Sequence, residues 1–345
     1  MPVINAQGLV DERVGALKAF HAAAGIPDAE LDLSGGVDSG VMAGLLVLAL
    51  GEEHVAFVHS RIHTNGAATE RAHRLGIALH TPVYDIDLAN VFDSLVTQAK
   101  GVVRRSGPGM ANEAMAERIR RDPTVMGSLR STLRAPVGRF FGRLLFDRSI
   151  RHGTGNECED RFLRYYQKGG DGEVDTNPLA NLSKTEVYQL AWALGERWGI
   201  EAHVAYRGLI EAVPSADLWA KGDEQTDERE LLAQTGVRFT YGRIDAATGV
   251  PTSYGTIERV ARFLDLDNGS WLVDRDPVPD DDWELWTRKA QRTTFRGFSG
   301  EETLAILKAA RKAEHASRHK ANPMISALGE REELVQLGLL SNDLD

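Results

Sequence analysis

Apolar runs and amphipathic stretches alternate along the N-terminal part of the chain at a pace that leaves few folds open. The spacing predicts strands over 29–33, 55–59 and 82–86, and helices over 38–50, 67–75 and 88–99, with Gly51 and Gly76 as stops. A helix over 11–24, ended by Gly25, precedes them. Short apolar strands returning through amphipathic helices specify an α/β fold, a doubly wound parallel sheet with helices on both faces. A chain of 345 residues can bury such a core and carry additions to it.

The first strand and the helix after it are joined by LDLSGGVDSG, residues 31–40. Gly35 and Gly36 let the backbone close on an anion without a side chain intervening. Backbone N–H groups and two hydroxyls then stand at the positive end of a helix, where phosphate oxygens bind. Asp38 would repel a bare phosphate, and a magnesium ion shared between the two removes the conflict. The plainer reading is a helix capped by Ser34 or Asp38 after a glycine turn. There is no GxxxxGK[ST], so transfer of a terminal phosphate is not implied.

Farther on, residues 101–151 are basic and interrupted by Gly107-Pro108-Gly109, Pro123 and Pro136, which predicts helical pieces joined by mobile loops. Such a stretch is either a solvated surface or a substrate contact. A helix is expected over 179–198 and a last basic one over 301–319. Residues 265–300, with Asp280–Asp282, Trp271, Trp283 and Trp286, look like an elaboration, and the tail after Pro323 is expected to be peripheral. The net charge of −10 argues against a nucleic-acid partner, and the apolar stretch 41–50 is too short to span a membrane. Residues 1–25 lack signal-peptide features. The single cysteine, Cys158, allows no internal disulfide, which suits a cytoplasmic location, and is read as packing.

SGGVDS resembles the pyrophosphate-binding loop of the N-type ATP pyrophosphatases, the PP-loop superfamily with its adenine nucleotide alpha hydrolase-like fold. Three further stretches are similar to ammonia-dependent NAD synthetases: GTGNECEDRFLRYYQKGGDGEVDTNPLANLSK (153–184), PSADL (214–218) with DEQTDERELL after it, and HKANP (319–323). That resemblance implies that Ser34, Gly35, Gly36, Asp38 and Ser39 hold ATP phosphates, joined by Thr154, Lys184 and Ser215. It implies Asp38 and Glu159 as magnesium carboxylates, with Asp38 and Lys184 as the catalytic residues. Arg134, Lys168 and Asp175 would face deamido-NAD, and His319 and Lys320 would close over it. The implied cofactors are ATP and Mg2+, and the implied assembly is a homodimer. The implied reaction adenylates a carboxylate, releases pyrophosphate and passes the acyl group to ammonia, giving NAD and AMP. The lone Cys158 lies in the synthetase region and the chain before the loop is short, so free ammonia, or an amine handed over by a partner, is the expected nitrogen source. Closure against water is expected from 107–126 or from HKANP.

Several residues depart from the family pattern. One extra residue separates Glu159 from Lys168, Glu173 stands at the second glycine of GDGG, and Ser215 replaces threonine. The strand leading into Gly153 reads RSIRH, polar where apolar residues are expected. The expected organisation is a synthetase-like unit over 1–253, an insertion over 254–300 that either builds a pocket or stands apart, and a closing 301–345. Two other readings stay open: a relative that activates a different carboxylate or uses another amine, and a nucleotide-binding pseudo-enzyme.

Overall fold

The computed structural model describes residues 3, 5–106, 117–119, 121–122, 124–215, 226–272, 277–320 and 328–342. Helix α1 (Ala6–Ala24) is capped by Asn5 and ends at Gly25 in the left-handed region. There follow β1 (Asp28–Asp32), α2 (Val37–Leu50), β2 (Val55–Arg61), α3 (Gly66–Ala78), β3 (Val83–Asp87) and α4 (Ala89–Ser106). Helix α5 (Thr124–Leu145) leads into β4 (Ser149–His152). The four strands form one parallel sheet in the order β3-β2-β1-β4, so the chain winds outward in both directions from β1. The junction 33–36 therefore lies beyond the carboxyl end of β1, where the strand order reverses. That crevice is the usual ligand position in such sheets.

Alternation along β1 explains the two faces. Ala29 and Leu31 join the main apolar cluster with α1, α2 and α3. That cluster also takes in α7 (Lys184–Trp198) and α8 (Ile200–Glu211). Glu30 and Asp32 point the other way, beneath α5, where both are ion-paired to Arg151 of β4. The polar strand RSIRH is thus a true sheet strand whose arginine is buried against two carboxylates of its neighbour. Helix α5 comes down close over this pair, because a Cβ on Gly138 would fall 2.0 Å from the Arg151 guanidinium.

Three expectations need correction. Pro136 does not break the chain but lies inside the continuous α5, whose buried Arg130, Ser131 and Ala135 show one face held against the protein. Packing offsets the backbone hydrogen bond that proline forfeits. Gly76 does not stop α3, which runs on to Ala78. The tail is not peripheral: Leu334 and Leu340 are buried in the main core, and Leu340 pairs with Val3 in an antiparallel bridge. Residues 107–116 lie outside the described residues, as do 321–323 of HKANP, so neither closing segment is described in full.

The remaining elements are α6 (Glu157–Asp160), α9 (Asp227–Thr235), the small hairpin β5 (Arg243–Ile244) and β6 (Pro251–Ser253), α10 (Thr256–Leu266), α11 (Asp280–Arg292), α12 (Gly300–Ser317) and α13 (Arg331–Gln336). A second apolar cluster unites Ile257 and Phe263 of α10, Trp271, Trp283 and Trp286 with Ile306 and Leu307 of α12. Cys158 and Phe162 belong to the same cluster, so residues 254–300 share a core with the stretch that follows β4.

Candidate active site

The glycine turn leads into α2 without a capping side chain. The N-cap of α2 is Gly36, and no side chain caps it, so the plainer reading of the turn fails. Ser34 and Ser39 instead bind one another, with their hydroxyls 3.0 Å apart, and Ser39 also donates to the Gly36 carbonyl at 3.1 Å. Gly35 has φ 81°, and a Cβ there would lie 2.1 Å from the Ala68 carbonyl oxygen. No other residue fits that conformation and that approach together. The first-turn N–H groups of α2 are left for a ligand.

Lys184 organises the charges beside this turn. It is the first residue of α7, fixed there by a reciprocal cap between Ser183 and Glu186. Its buried ammonium donates to Asp38 at 2.6 Å and to Glu159 at 3.0 Å, and sits 5.3 Å from the Tyr241 ring centroid. Burial alone would lower its pKa, but Asp38 and then Glu159 hold it well above the usual lysine range. Glu159 shows the opposite effect: burial pushes its carboxyl up, Lys184 opposes this, and Asp38 adds to it. Asn156, the N-cap of α6, donates to Asp38 at 2.9 Å and fixes its second oxygen.

Two carboxylates converging on one cation provide the hard oxygen ligands that magnesium prefers. Asp38 and Glu159 therefore fit that ion. Among the described residues no group of three or more His, Cys, Asp and Glu side chains forms a ready metal cage.

The other expected residues fall into separate places. Thr154 follows β4, whose exit is fixed by the Gly153 N–H donating to the Thr176 carbonyl at 2.8 Å. Ser215 is exposed where the described chain pauses, and Ala216, Asp217 and Leu218 lie outside the described residues, as do 223–225 of the following stretch. Lys168 reaches the His319 carbonyl at 3.4 Å, and the Lys320 ammonium donates to the Tyr166 carbonyl at 2.7 Å. These two segments are therefore in contact, while the His319 ring is exposed and its Nδ1 donates to the Ala316 carbonyl at 3.1 Å. Arg134 sits on α5 with its Nε buried and unpartnered among the described residues. Asp175 is held by both Arg139 Nη atoms, at 2.8 and 3.0 Å, and by the Arg151 backbone N–H at 2.8 Å.

Sequence reasoning missed Asn156, Arg139 and Arg71. Asn156 completes GTGN and was legible as a polar cap. Arg71 of α3 donates to the Gly35 carbonyl at 2.8 Å, a link between turn and helix that no motif signals.

The comparisons with known proteins cover the same region. A sequence model of the family described as NAD synthase matches residues 9–250. An NH(3)-dependent NAD(+) synthetase of Methanococcoides burtonii is 32% identical over 246 residues, 71% of this chain and 78% of that one. Another, from Halobacterium salinarum, is 33% identical over 252 residues, again 71% and 78%. Among solved structures, NMN synthetase from Francisella tularensis aligns with a TM-score of 0.61 over 92% of this chain and 97% of its own, at 19% identity, which supports the fold alone. The turn, both carboxylates and Lys184 all fall within the matched stretch. On a match of that extent, this chain belongs to the NAD synthase family.

Proposed function

We propose that the protein is an AMP-forming carbon–nitrogen ligase that converts the carboxylate of deamido-NAD to the amide of NAD, with ammonia as nitrogen donor. The observation that carries the reading is the Lys184 ammonium held between Asp38 and Glu159 beside an uncapped glycine turn. The relatives' names point to the same activity.

A carboxylate is a poor acyl donor until its oxygen becomes a good leaving group. Its oxygen attacks the α-phosphorus of ATP, the bond to the β-phosphate oxygen breaks, and pyrophosphate departs. Backbone N–H groups at Val37 and Asp38 orient the leaving phosphates, and Ser34, which accepts from the Gly36 N–H at 3.2 Å, keeps the turn in shape with Ser39. Lys184 shifts its hydrogen bonds from carboxylate to phosphate and follows the charge as it moves onto the leaving group. Asp38 and Glu159 hold magnesium, which when bound neutralises charge on the departing pyrophosphate. Ammonia then attacks the acyl carbon, the carbon–oxygen bond to AMP breaks, and no covalent enzyme intermediate is needed. A homodimer in the cytoplasm is part of this reading; among the described residues no helix is long and apolar enough to cross a membrane.

A second reading, in which a different carboxylate is activated, is favoured by one feature. Asp175, expected to face substrate, is already clamped by Arg139, and Glu173 lies 3.9 Å from the same guanidinium. Incubation with ATP, magnesium and ammonium, offering deamido-NAD or nicotinate mononucleotide in competition, separates the two. Mass spectrometry should find NAD as the main product and lose it in Asp38→Asn. Amide formed mainly from the mononucleotide would move the assignment to the second reading.

A further inference from the structure

Glu157 and Glu186 stand two positions from Glu159 and Lys184, and both are buried. Two positions along a helical turn carry a side chain to the far side, so this pair faces behind the site. Glu157 binds Arg161 at 2.8 Å and Glu186 binds the Ser183 N–H at 2.7 Å, and both also take partners from the C-terminal part of the chain. Arg262 of α10 is ion-paired with Glu157. Arg331 of α13 binds Glu186 through two nitrogens, at 2.7 and 2.9 Å, and lies 3.9 Å from Glu157. Asn342 joins the two arginines, its carbonyl oxygen accepting from Arg262 at 3.1 Å and from Arg331 at 3.0 Å. Arg331 also donates to the Asn181 carbonyl at 2.8 Å, just before the Ser183 cap.

Burying a guanidinium is expensive, and apolar packing would anchor a tail at lower cost. Leu334 and Leu340 already supply such packing. Here the costly groups are spent on the two carboxylates that flank the site, and both arginines lie beyond residue 250, where the family match ends. We propose that Arg262 and Arg331 are positioning residues: by gripping Glu157 and Glu186 from behind, the C-terminal part of the chain sets the placement of Glu159 and Lys184 on which ATP cleavage depends. Both would act through their partners and touch no substrate. The proposal rests on the ligase reading for its kinetic readout, but not for its structural one.

The test is Arg331→Met in the full chain, with Arg331→Lys beside it, which keeps the charge and loses the two-nitrogen fork. Pyrophosphate release, thermal midpoint and amide hydrogen exchange are read together. In Arg331→Met, kcat should fall about 30-fold while KM for ATP stays within about 2-fold, as expected for misplaced catalytic groups on an intact binding turn. Amides at 157–160 and 184–187 should exchange faster while those of β1–β3 keep their protection. Free guanidinium ion at millimolar concentration should restore part of the lost kcat. The lysine variant should fall between wild type and methionine on every readout, and it carries the test alone if the methionine variant does not fold. An unchanged kcat per folded molecule, or faster exchange spread evenly over the protein, would overturn the proposal and leave the arginines as general stabilisers. Failure of wild type to amidate deamido-NAD would sink the ligase reading instead, and the exchange pattern would still decide the brace.

Discussion

Two charge clusters lie back to back on the turns that carry Glu159 and Lys184, and they are composed differently. Behind, Glu157, Glu186 and Asp265 meet Arg161, Arg262 and Arg331, so carboxylates and guanidiniums match. In front, Asp38 and Glu159 share the single ammonium of Lys184, and Asp160 and Asp227 add to the negative field on Glu159 and its neighbours. A matched cluster has nothing to gain from a ligand. An anion-rich one, beside a turn that offers N–H groups to phosphate, gains by taking up a divalent cation together with a nucleotide. The comparison teaches that burial of charge alone does not mark a site; imbalance does.

The largest effect is expected from removing the Lys184 ammonium in front. Lys184→Met should lower pyrophosphate release by about 10³-fold, since it removes a donor to the leaving group and leaves two carboxylates facing each other unopposed. A loss under about tenfold would mean that phosphate chemistry happens elsewhere. Glu159→Gln should cost about 10²-fold and raise the magnesium concentration giving half-maximal rate. An unchanged magnesium dependence would remove Glu159 from the metal's ligands.

Next comes a third cluster, under α5, where Glu30 and Asp32 of β1 meet Arg151 of β4. Arg151→Met strands Glu30 and Asp32 and should cost about 3 kcal/mol in chemical denaturation. Glu30→Gln should cost less, because burial already pushes the Glu30 carboxyl up to about 7 and Arg151 only partly offsets it. Equal losses from the two would show that the pair, and not the stranded carboxylates, sets the stability.

The smallest effect at neutral pH belongs to the buried imidazole pair. His152 Nε2 lies 3.0 Å from His21 Nε2. Burial, and then His21, push the His152 pKa from 6.5 down to about 3, with Asp175 opposing. Below 6.5 the unfolded chain takes up a proton that the folded chain refuses, so stability should fall as pH drops from 6.5 toward 3 and be unaffected by this group above 6.5. His152→Leu should flatten that acid slope in thermal scans. A slope unchanged by the substitution would assign it to other groups.

Much of the molecule was legible because it rests on local signals. Strand–helix alternation over 29–99 and the glycine turn are each written in a few neighbouring residues, whereas the helix expected from 179 begins only at Lys184, after the Ser183 cap. What escaped depends on partners far along the chain. RSIRH looks unlike a strand until Glu30 and Asp32 are placed beside it. Pro136 looks like a break until α5 is packed on the sheet, and the tail looks loose until Arg331 meets Glu186. Within the site, motif residues brought Asp38, Glu159 and Lys184 into view, whereas Arg139 and Arg71 carry no pattern of their own.

The central claim is that this turn and its lysine serve cleavage between the α- and β-phosphates. Its most direct test is the nucleotide balance during turnover with deamido-NAD, ammonium and magnesium, read by phosphorus NMR or chromatography. The account predicts AMP and pyrophosphate in equal amounts, one of each per amide formed, and neither in Lys184→Met. ADP and inorganic phosphate as the products, or amide formed without AMP, would contradict it.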